Sequence, residues 1–326
     1  MDQVSPIPFD VIERIVTRET GRPLSECFVK VEREPLAAAS IAQVHTAQLS
    51  DGSQVVLKVQ RPGVLTTLQA DLFILTMLIR ILQVIYPVVR RANILQIARD
   101  MSHKFREECN FLVEAERVGK FAEFLSQAQV KIVTVPRVHE QLTTSKLLVM
   151  ERFRREPISD AKSIKHALVD PALSLQMALQ VWLMSVTQCE FIHADVHGGN
   201  LLILTDGRIG MIDFGVVDSI ERDDWQAAVD CITALQQRSF RDVALAMVRL
   251  GATGDDVDQS QLTVDLADSL GRLGSAPCRG PNQPVGTAFA DLCGIAQRHD
   301  LCFPNGFFLL LRQYFYFERY LQLAQP

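Results

Sequence analysis

The chain has 326 residues, long for one compact core and comfortable for two lobes or domains. A composition of 48% apolar and 22% charged residues, with 17 Gly and 14 Pro, excludes a disordered or fibrous chain. A net charge of −5 gives no global basic field, so nucleic acid is not an expected partner.

The first thirty residues read as helix and loop, punctuated by Pro6, Pro8 and Pro23. The opening MDQVSPIPFD lacks a basic n-region and an apolar h-region, so no signal peptide is expected. Strands are predicted over 44–49 and 54–59, joined by the hairpin signal Asp51-Gly52. Long helical stretches follow over about 71–91 and 95–125, then short strands over 131–136 and 146–151. From Pro171 the chain is mostly helical, interrupted by strands over 201–204 and 209–212 around Asp206-Gly207. The Gly- and Pro-rich stretch 271–286 is the clearest late break. Seven cysteines, at Cys27, Cys109, Cys189, Cys231, Cys278, Cys293 and Cys302, form no CxxC pair. They predict neither a zinc ribbon nor a disulfide framework, and favour a reducing interior.

Mean hydropathy is +0.12, slightly oily for a chain of this size. Part of that resides in 72–89, where only Thr76, Arg80, Gln83 and Pro87 are not apolar. Their spacings put them on one helical face. A bilayer span would leave Arg80 near its centre, at about 2.5–3.5 kcal/mol. A core or interface helix is the better expectation, with peripheral membrane contact and no span. A second oily stretch, 307–323, is expected to pack inside the protein.

The chemistry concentrates in His193-Ala194-Asp195-Val196-His197-Gly198-Gly199-Asn200 and, past a hairpin, Asp213-Phe214-Gly215. Phosphoryl transfer asks the protein mostly for positioning and charge neutralisation. Asp195 has the place of the carboxylate beside the incoming nucleophile, and Asn200, five residues on, can hold Mg²⁺. Asp213, thirteen residues past Asn200, can bridge metal to phosphate. The linked spacing matches the kinase catalytic and metal-binding signatures. Two other readings are weighed: structural histidines with a turn-capping Asp195, and a Zn²⁺ site on His193, Asp195 and His197.

Upstream, Lys58 ends a Val-Val-Leu-Lys run where a nucleotide-binding strand lysine belongs. Ala37, Ala39, Ala42 and Val44 fall on the named positions of G-x-G-x-x-G-x-V, with alanine at every glycine. A Cβ at each resists positive φ, so this loop, with Ala38 and Ser40, is expected to be stiffer than a glycine loop. Glu107, Glu108, Glu114 and Glu116 are candidate helix acids, with a solvated, Lys104-paired face as the ordinary alternative.

PLAAASIAQVH, VLKVQRP, EECNFLVEAE, FIHADVHGGN and MIDFG together resemble the UbiB family of atypical protein-kinase-like proteins, also called aarF-domain kinases. The resemblance covers nearly the whole chain. It implies an α+β, two-lobed, protein-kinase-like fold: a small strand-containing N-lobe over 1–150 and a helical C-lobe over 151–326. It implies an ATPase-like enzyme binding ATP or ADP with Mg²⁺, supporting isoprenoid-quinone or other prenyl-lipid metabolism at a membrane. The implied partners are nucleotide, membrane lipid or a quinone intermediate, and quinone-pathway proteins, on the cytoplasmic or organelle-interior side. Catalytic roles fall to Asp195, Lys58 and Glu108, with Glu108 favoured over Glu114 as the acid paired with Lys58. Nucleotide contacts fall to Ala37, Ala38, Ala39, Ser40, Ala42, Val44, Lys58, Met150 and Glu151, and metal contacts to Asn200 and Asp213.

Departures matter too. The family's E-x-D motif reads Glu108-Cys109-Asn110 here, its K-x-G-Q motif is not in this sequence, and neither is the C-terminal membrane segment of many members. No A-P-E follows Asp213-Phe214-Gly215, a helix is expected by Glu221, and His197 stands two past Asp195 as in aminoglycoside and choline kinases. These features point away from protein substrates. A soluble small-molecule kinase and a nucleotide-binding pseudokinase scaffold are the alternative readings.

Overall fold

The computed structural model describes residues 5–85, 94–153, 155–157, 171–189, 192–197, 199–218, 222–251, 257–275, 285–303 and 305–324. Helices α1 (Phe9–Thr20) and α2 (Leu24–Cys27) precede strands β1 (Lys30–Val31), β2 (Ala37–Ala38), β3 (Ala42–Gln48) and β4 (Gln54–Gln60). Helices α3 (Val64–Ile85), α4 (Ile94–Glu108) and α5 (Phe111–Gln127) follow, then β5 (Val133–Thr134), β6 (Leu147–Glu151) and β7 (Arg155–Pro157). After α6 (Pro171–Gln188) come β8 (Ile192–His193), β9 (Leu201–Leu204), β10 (Ile209–Met211) and β11 (Val217–Asp218). Helices α7 (Arg222–Gln236), α8 (Phe240–Gly251), α9 (Gln259–Ser275), α10 (Val285–Arg298) and α11 (Asn305–Ala324) complete the α+β architecture.

The chain forms two compact units. The first contains Met1–Lys120, Pro136–Phe153 and Phe214–Val216; the second contains Phe121–Val135, Arg154–Asp213 and Val217–Pro326.

In the first unit an antiparallel sheet runs β1-β3-β4-β6, with β2 added on β3. Alternation along β4 explains its two faces. Val55, Leu57 and Val59 pack with Ile12, Ile15 and Val16 of α1, while Val56 joins Ala42, Phe111, Leu148 and Met150 on the other side. The β3–β4 turn is the expected Asp51-Gly52: Gly52 takes φ +86°, and Asp51 Oδ1 accepts a hydrogen bond from Ser53 N–H at 2.8 Å. Pro8 and Pro23 immediately precede α1 and α2.

Two expectations are corrected here. The single helix expected over 95–125 is two, because Asn110 starts a new one: its Oδ1 accepts from Leu112 N–H at 3.2 Å and its C=O from Val113 N–H at 3.0 Å. The oily helix begins earlier than expected, at Val64, and is not a core helix. It packs along α4, yet Phe73, Ile74, Met77, Leu78, Ile81 and Ile85 are all exposed. Pro87 and Val89 of that stretch lie outside the described residues.

In the second unit β5-β10-β9-β7 form one sheet, and β8 pairs with β11. The aromatic stretch is core, as expected: Phe307, Leu310, Leu311, Tyr314, Phe317 and Tyr320 are buried along one face of α11. Phe317 meets Trp182 of α6 with ring centroids 5.7 Å apart. Cys27, Cys109, Cys189, Cys231, Cys293 and Cys302 are free thiols; Cys278 lies outside the described residues.

Candidate functional site

In the first unit, Lys58 stands on β4 opposite Val44 of β3 and Leu148 of β6. Its Nζ donates to both carboxylate oxygens of Glu114, each at 2.9 Å, and lies 5.4 Å from the centroid of the Phe111 ring. Lys58 is 14% exposed at its side chain and Glu114 is 3% exposed, so water screens the pair little. The acid on Lys58 is therefore Glu114, a correction of the expected Glu108. The reason is helical geometry. Phe111 and Glu114 are three apart on the first turn of α5 and share a face, whereas Glu108 ends the preceding helix, across the break at Cys109-Asn110. Gln60 holds that break, its Nε2 donating to Cys109 C=O at 2.6 Å.

The alanine loop is a hairpin. Ala37 pairs with Val44 and Ala38 with Gln43, and Ala39 N–H donates to Ala42 C=O at 2.9 Å. Arg61 pins its tip twice: N–H to Ile41 C=O at 2.8 Å, and Nε to Ala39 C=O at 2.7 Å. No residue of 37–44 takes positive φ, the region that alanine, unlike glycine, resists. Ser40 is exposed at the tip. Ala42 and Met150 share the small cluster around Phe111, and Glu151 is exposed at the end of β6, with Oε2 accepting from Arg137 N–H at 3.3 Å. Beside these, Phe214 is fully buried and Gly215 C=O accepts from Arg117 Nη1 at 3.0 Å; Arg117 also pairs with Glu107 at 2.7 Å.

In the second unit the loop 193–200 is held by its own side chains. Asp195 C=O accepts from His197 N–H at 2.9 Å and from Asn200 Nδ2 at 2.9 Å, and Asn200 Nδ2 also lies 3.2 Å from Asp195 Oδ2. His197 Nε2 is 3.5 Å from the same carboxylate oxygen, while its Nδ1 accepts from Gly199 N–H at 2.9 Å. Asn200 C=O accepts from Ile212 N–H at 3.0 Å, which joins the loop to the strand leading to Asp213. Asp213 takes φ +63°, a left-handed conformation that costs a non-glycine residue about 1–3 kcal/mol.

His193 is fully buried. Its Nδ1 accepts from Asp195 N–H at 3.3 Å, and its Nε2–H lies 3.3 Å from Ile212 C=O. Burial holds its pKa below the ordinary 6.5, so the ring is neutral with the proton on Nε2. With both nitrogens engaged, His193 cannot serve the alternative Zn²⁺ site, and no cluster of three His, Cys, Asp or Glu ligands occurs among the described residues. A Mg²⁺ ion suits what is present. Asn200 spends its amide nitrogen on Asp195, and the amide and carboxylate oxygens in this set are the hard donors that ion takes.

Sequence reasoning missed three residues that hold these parts: Arg61, Trp182, whose Nε1 donates to His193 C=O at 3.0 Å, and Gln313. Arg61 carried a signal, standing immediately after β4 in VLKVQRP; the other two carried none. After Asp213-Phe214-Gly215 only β11 precedes α7 at Arg222; residues 219–221 lie outside the described residues.

A chloroplastic, uncharacterized aarF domain-containing protein kinase of Arabidopsis thaliana is 36% identical over 349 residues, covering 100% of this chain and 64% of its own length. A probable protein kinase UbiB of Marinobacter nauticus is 28% identical over 254 residues, 77% of this chain and 46% of the relative. The chain thus spans less than two thirds of the length of both. A Mycobacterium tuberculosis protein solved in complex with erythromycin shares the fold, with a TM-score of 0.71 at 21% identity over 98% of this chain and 80% of that one. The ABC1 atypical kinase-like domain matches residues 1–247. With its protein-kinase-like fold, the chain belongs to the ABC1/aarF family of atypical kinase-like proteins, which includes UbiB.

Proposed function

We propose that this chain binds Mg·ATP and cleaves or transfers its terminal phosphoryl group, in support of isoprenoid-quinone or other prenyl-lipid metabolism at a membrane surface. The observation that carries the reading is the buried Lys58–Glu114 pair, which holds an ammonium on β4 opposite Val44 of the pinned alanine hairpin. Lys58 would neutralise phosphate charge, with Glu114 fixing its rotamer. Asp195 would orient the attacking hydroxyl or water, steadied by Asn200 and His193. Bound Mg²⁺, on Asn200 and Asp213, would supply charge neutralisation at the phosphates.

The membrane part of the reading is supported by α3. Val64–Gln83 is long and apolar enough to cross a bilayer, with mean hydropathy 1.6, and only 6% of it is buried. Its neighbour α4 carries Arg99, Asp100, His103, Lys104, Arg106, Glu107 and Glu108, charges that make a paired crossing costly. Residues 71–108 hold six Lys or Arg against four Asp or Glu in a chain of net charge −5, a local positive excess that suits an anionic lipid surface. The helix therefore lies in the interface. A second reading, a kinase for a soluble small molecule, is favoured by one contact, His197 Nε2 at 3.5 Å from Asp195 Oδ2.

Phosphate release from Mg·ATP, with and without anionic vesicles and a quinone-like phenol, tests the reading. Lipid-stimulated release without a phosphorylated product supports ATPase action at a membrane. A phosphorylated soluble acceptor formed without lipid supports the second reading.

A further inference from the structure

Gln313 lies on α11, beyond the stretch that matches the family domain, and is completely buried. Its Oε1 accepts from Val196 N–H at 2.7 Å, and its Nε2 donates to Ala194 C=O at 2.7 Å. These two groups flank Asp195. In extended chain they point to one side, while the N–H and C=O of the residue between them point to the other. The other side is occupied as well: Asp195 N–H meets His193, and Asp195 C=O accepts from His197 and Asn200. Every polar main-chain group bracketing Asp195 is thus satisfied, and two of them depend on one side chain 117 and 119 residues away in sequence. The same helix presses Phe317 onto Trp182, which holds His193 C=O.

We infer that Gln313 is a positioning residue for Asp195: the C-terminal helix sets the catalytic loop through a two-point amide clamp. A primary amide is suited to this, with a donor and an acceptor side by side in one plane. An apolar side chain of equal length would fill the volume and leave Val196 N–H and Ala194 C=O unpaired in a dry interior. The consequence for turnover rests on the reading of Asp195 given above; the clamp itself does not.

The test uses Gln313→Met and Gln313→Glu in the full chain, with amide hydrogen exchange over 192–200 and phosphate release from Mg·ATP as readouts. In Gln313→Met the Val196 amide exchanges about tenfold faster than in the parent, the loss of one buried hydrogen bond, while the rest of α6 and α11 stays protected. Phosphate release falls by about 10²-fold, in kcat rather than KM, as a displaced catalytic group requires. In Gln313→Glu the introduced carboxyl can complete both hydrogen bonds only when protonated. Its exchange ratio to the parent therefore returns towards one, and its relative turnover rises, as pH falls. Unchanged exchange at Val196 in folded Gln313→Met overturns the clamp. If that variant does not fold, exchange over 192–200 in Gln313→Glu equal to the parent's at alkaline pH, where a carboxylate cannot donate to Ala194 C=O, overturns it instead. Accelerated exchange with no phosphate release from the parent upholds the clamp and defeats the nucleotide reading.

Discussion

Glu114 grips the Lys58 ammonium with both carboxylate oxygens, each at 2.9 Å, on a face of α5 that also sets Phe111 beside it. Removing the carboxylate strips the ammonium of this buried, bidentate partner, and breaking a buried pair from one side destabilises the fold. Glu114→Gln should lower thermal stability and reduce Mg·ATP turnover by at least about tenfold, for which a 1.4 kcal/mol loss of lysine positioning suffices. Glu108→Gln should cost much less in both. Equal losses in the two variants, measured by thermal melts and phosphate release, would return the role to Glu108.

Arg61 bonds Ala39 C=O and Ile41 C=O at the tip of the alanine loop, two contacts that should restrain it. Arg61→Ala removes the side-chain bond and keeps the main-chain one. Amide exchange across 37–44 should quicken, and nucleotide affinity should change with the loop rather than with overall stability. An unchanged exchange profile would show that alanine alone stiffens the hairpin.

His45 gives a pH dependence. It is fully buried between Gln43 Nε2, 2.9 Å from its Nε2, and Glu32 C=O, 2.9 Å from its Nδ1. The Gln43 amide is fixed by Ile7, whose N–H donates to its Oε1 at 2.8 Å, so His45 Nε2 faces a donor. Burial lowers the His45 pKa below the ordinary 6.5, outweighing the raising effects of Glu32 C=O and Glu34. The unfolded chain therefore binds the proton more readily, and stability present above pH 6.5 is lost as pH falls below it. His193 and His139, also lowered by burial, act with the same sign. His45→Gln should lower the melting temperature at pH 7.5 and shrink the further loss on acidification. A parent melting temperature flat between about pH 7 and 5 would contradict this.

The exposed apolar face of α3 can be tested without touching the candidate site. Leu78 is 52% exposed, so Leu78→Glu should fold. It should co-sediment less with anionic vesicles, and its turnover without lipid should match the parent. Unfolding of that variant would mark α3 as covered by protein.

The β3–β4 hairpin was legible because period-two alternation and Asp51-Gly52 are both local signals. The 193–213 stretch was legible because its chemistry demands fixed residue types at fixed spacing. The Lys58 partner was not, since four glutamates cluster there and the choice turns on Asn110 starting a new helix. The same Asn110 clarifies the departure from E-x-D: here the side chain serves as an N-terminal cap. Hydropathy could not separate a covered α3 from an exposed one, because an apolar face suits a protein interior and a lipid surface alike. Gln313 was invisible for another reason: a lone glutamine in an aromatic helix looks ordinary until the chain brings it to Ala194 and Val196.

The roles proposed for Lys58, Asp195 and Asp213 all require that this chain turn over Mg·ATP. The most direct test is Mg²⁺-dependent phosphate release by the chain beside Asp213→Asn, a substitution that keeps a side chain tolerant of positive φ while removing the charge. Release is expected in the parent and its loss in the variant, with the melting temperature little changed. Release in the parent no greater than in Asp213→Asn, with anionic vesicles and a quinone-like phenol present or absent, would contradict it.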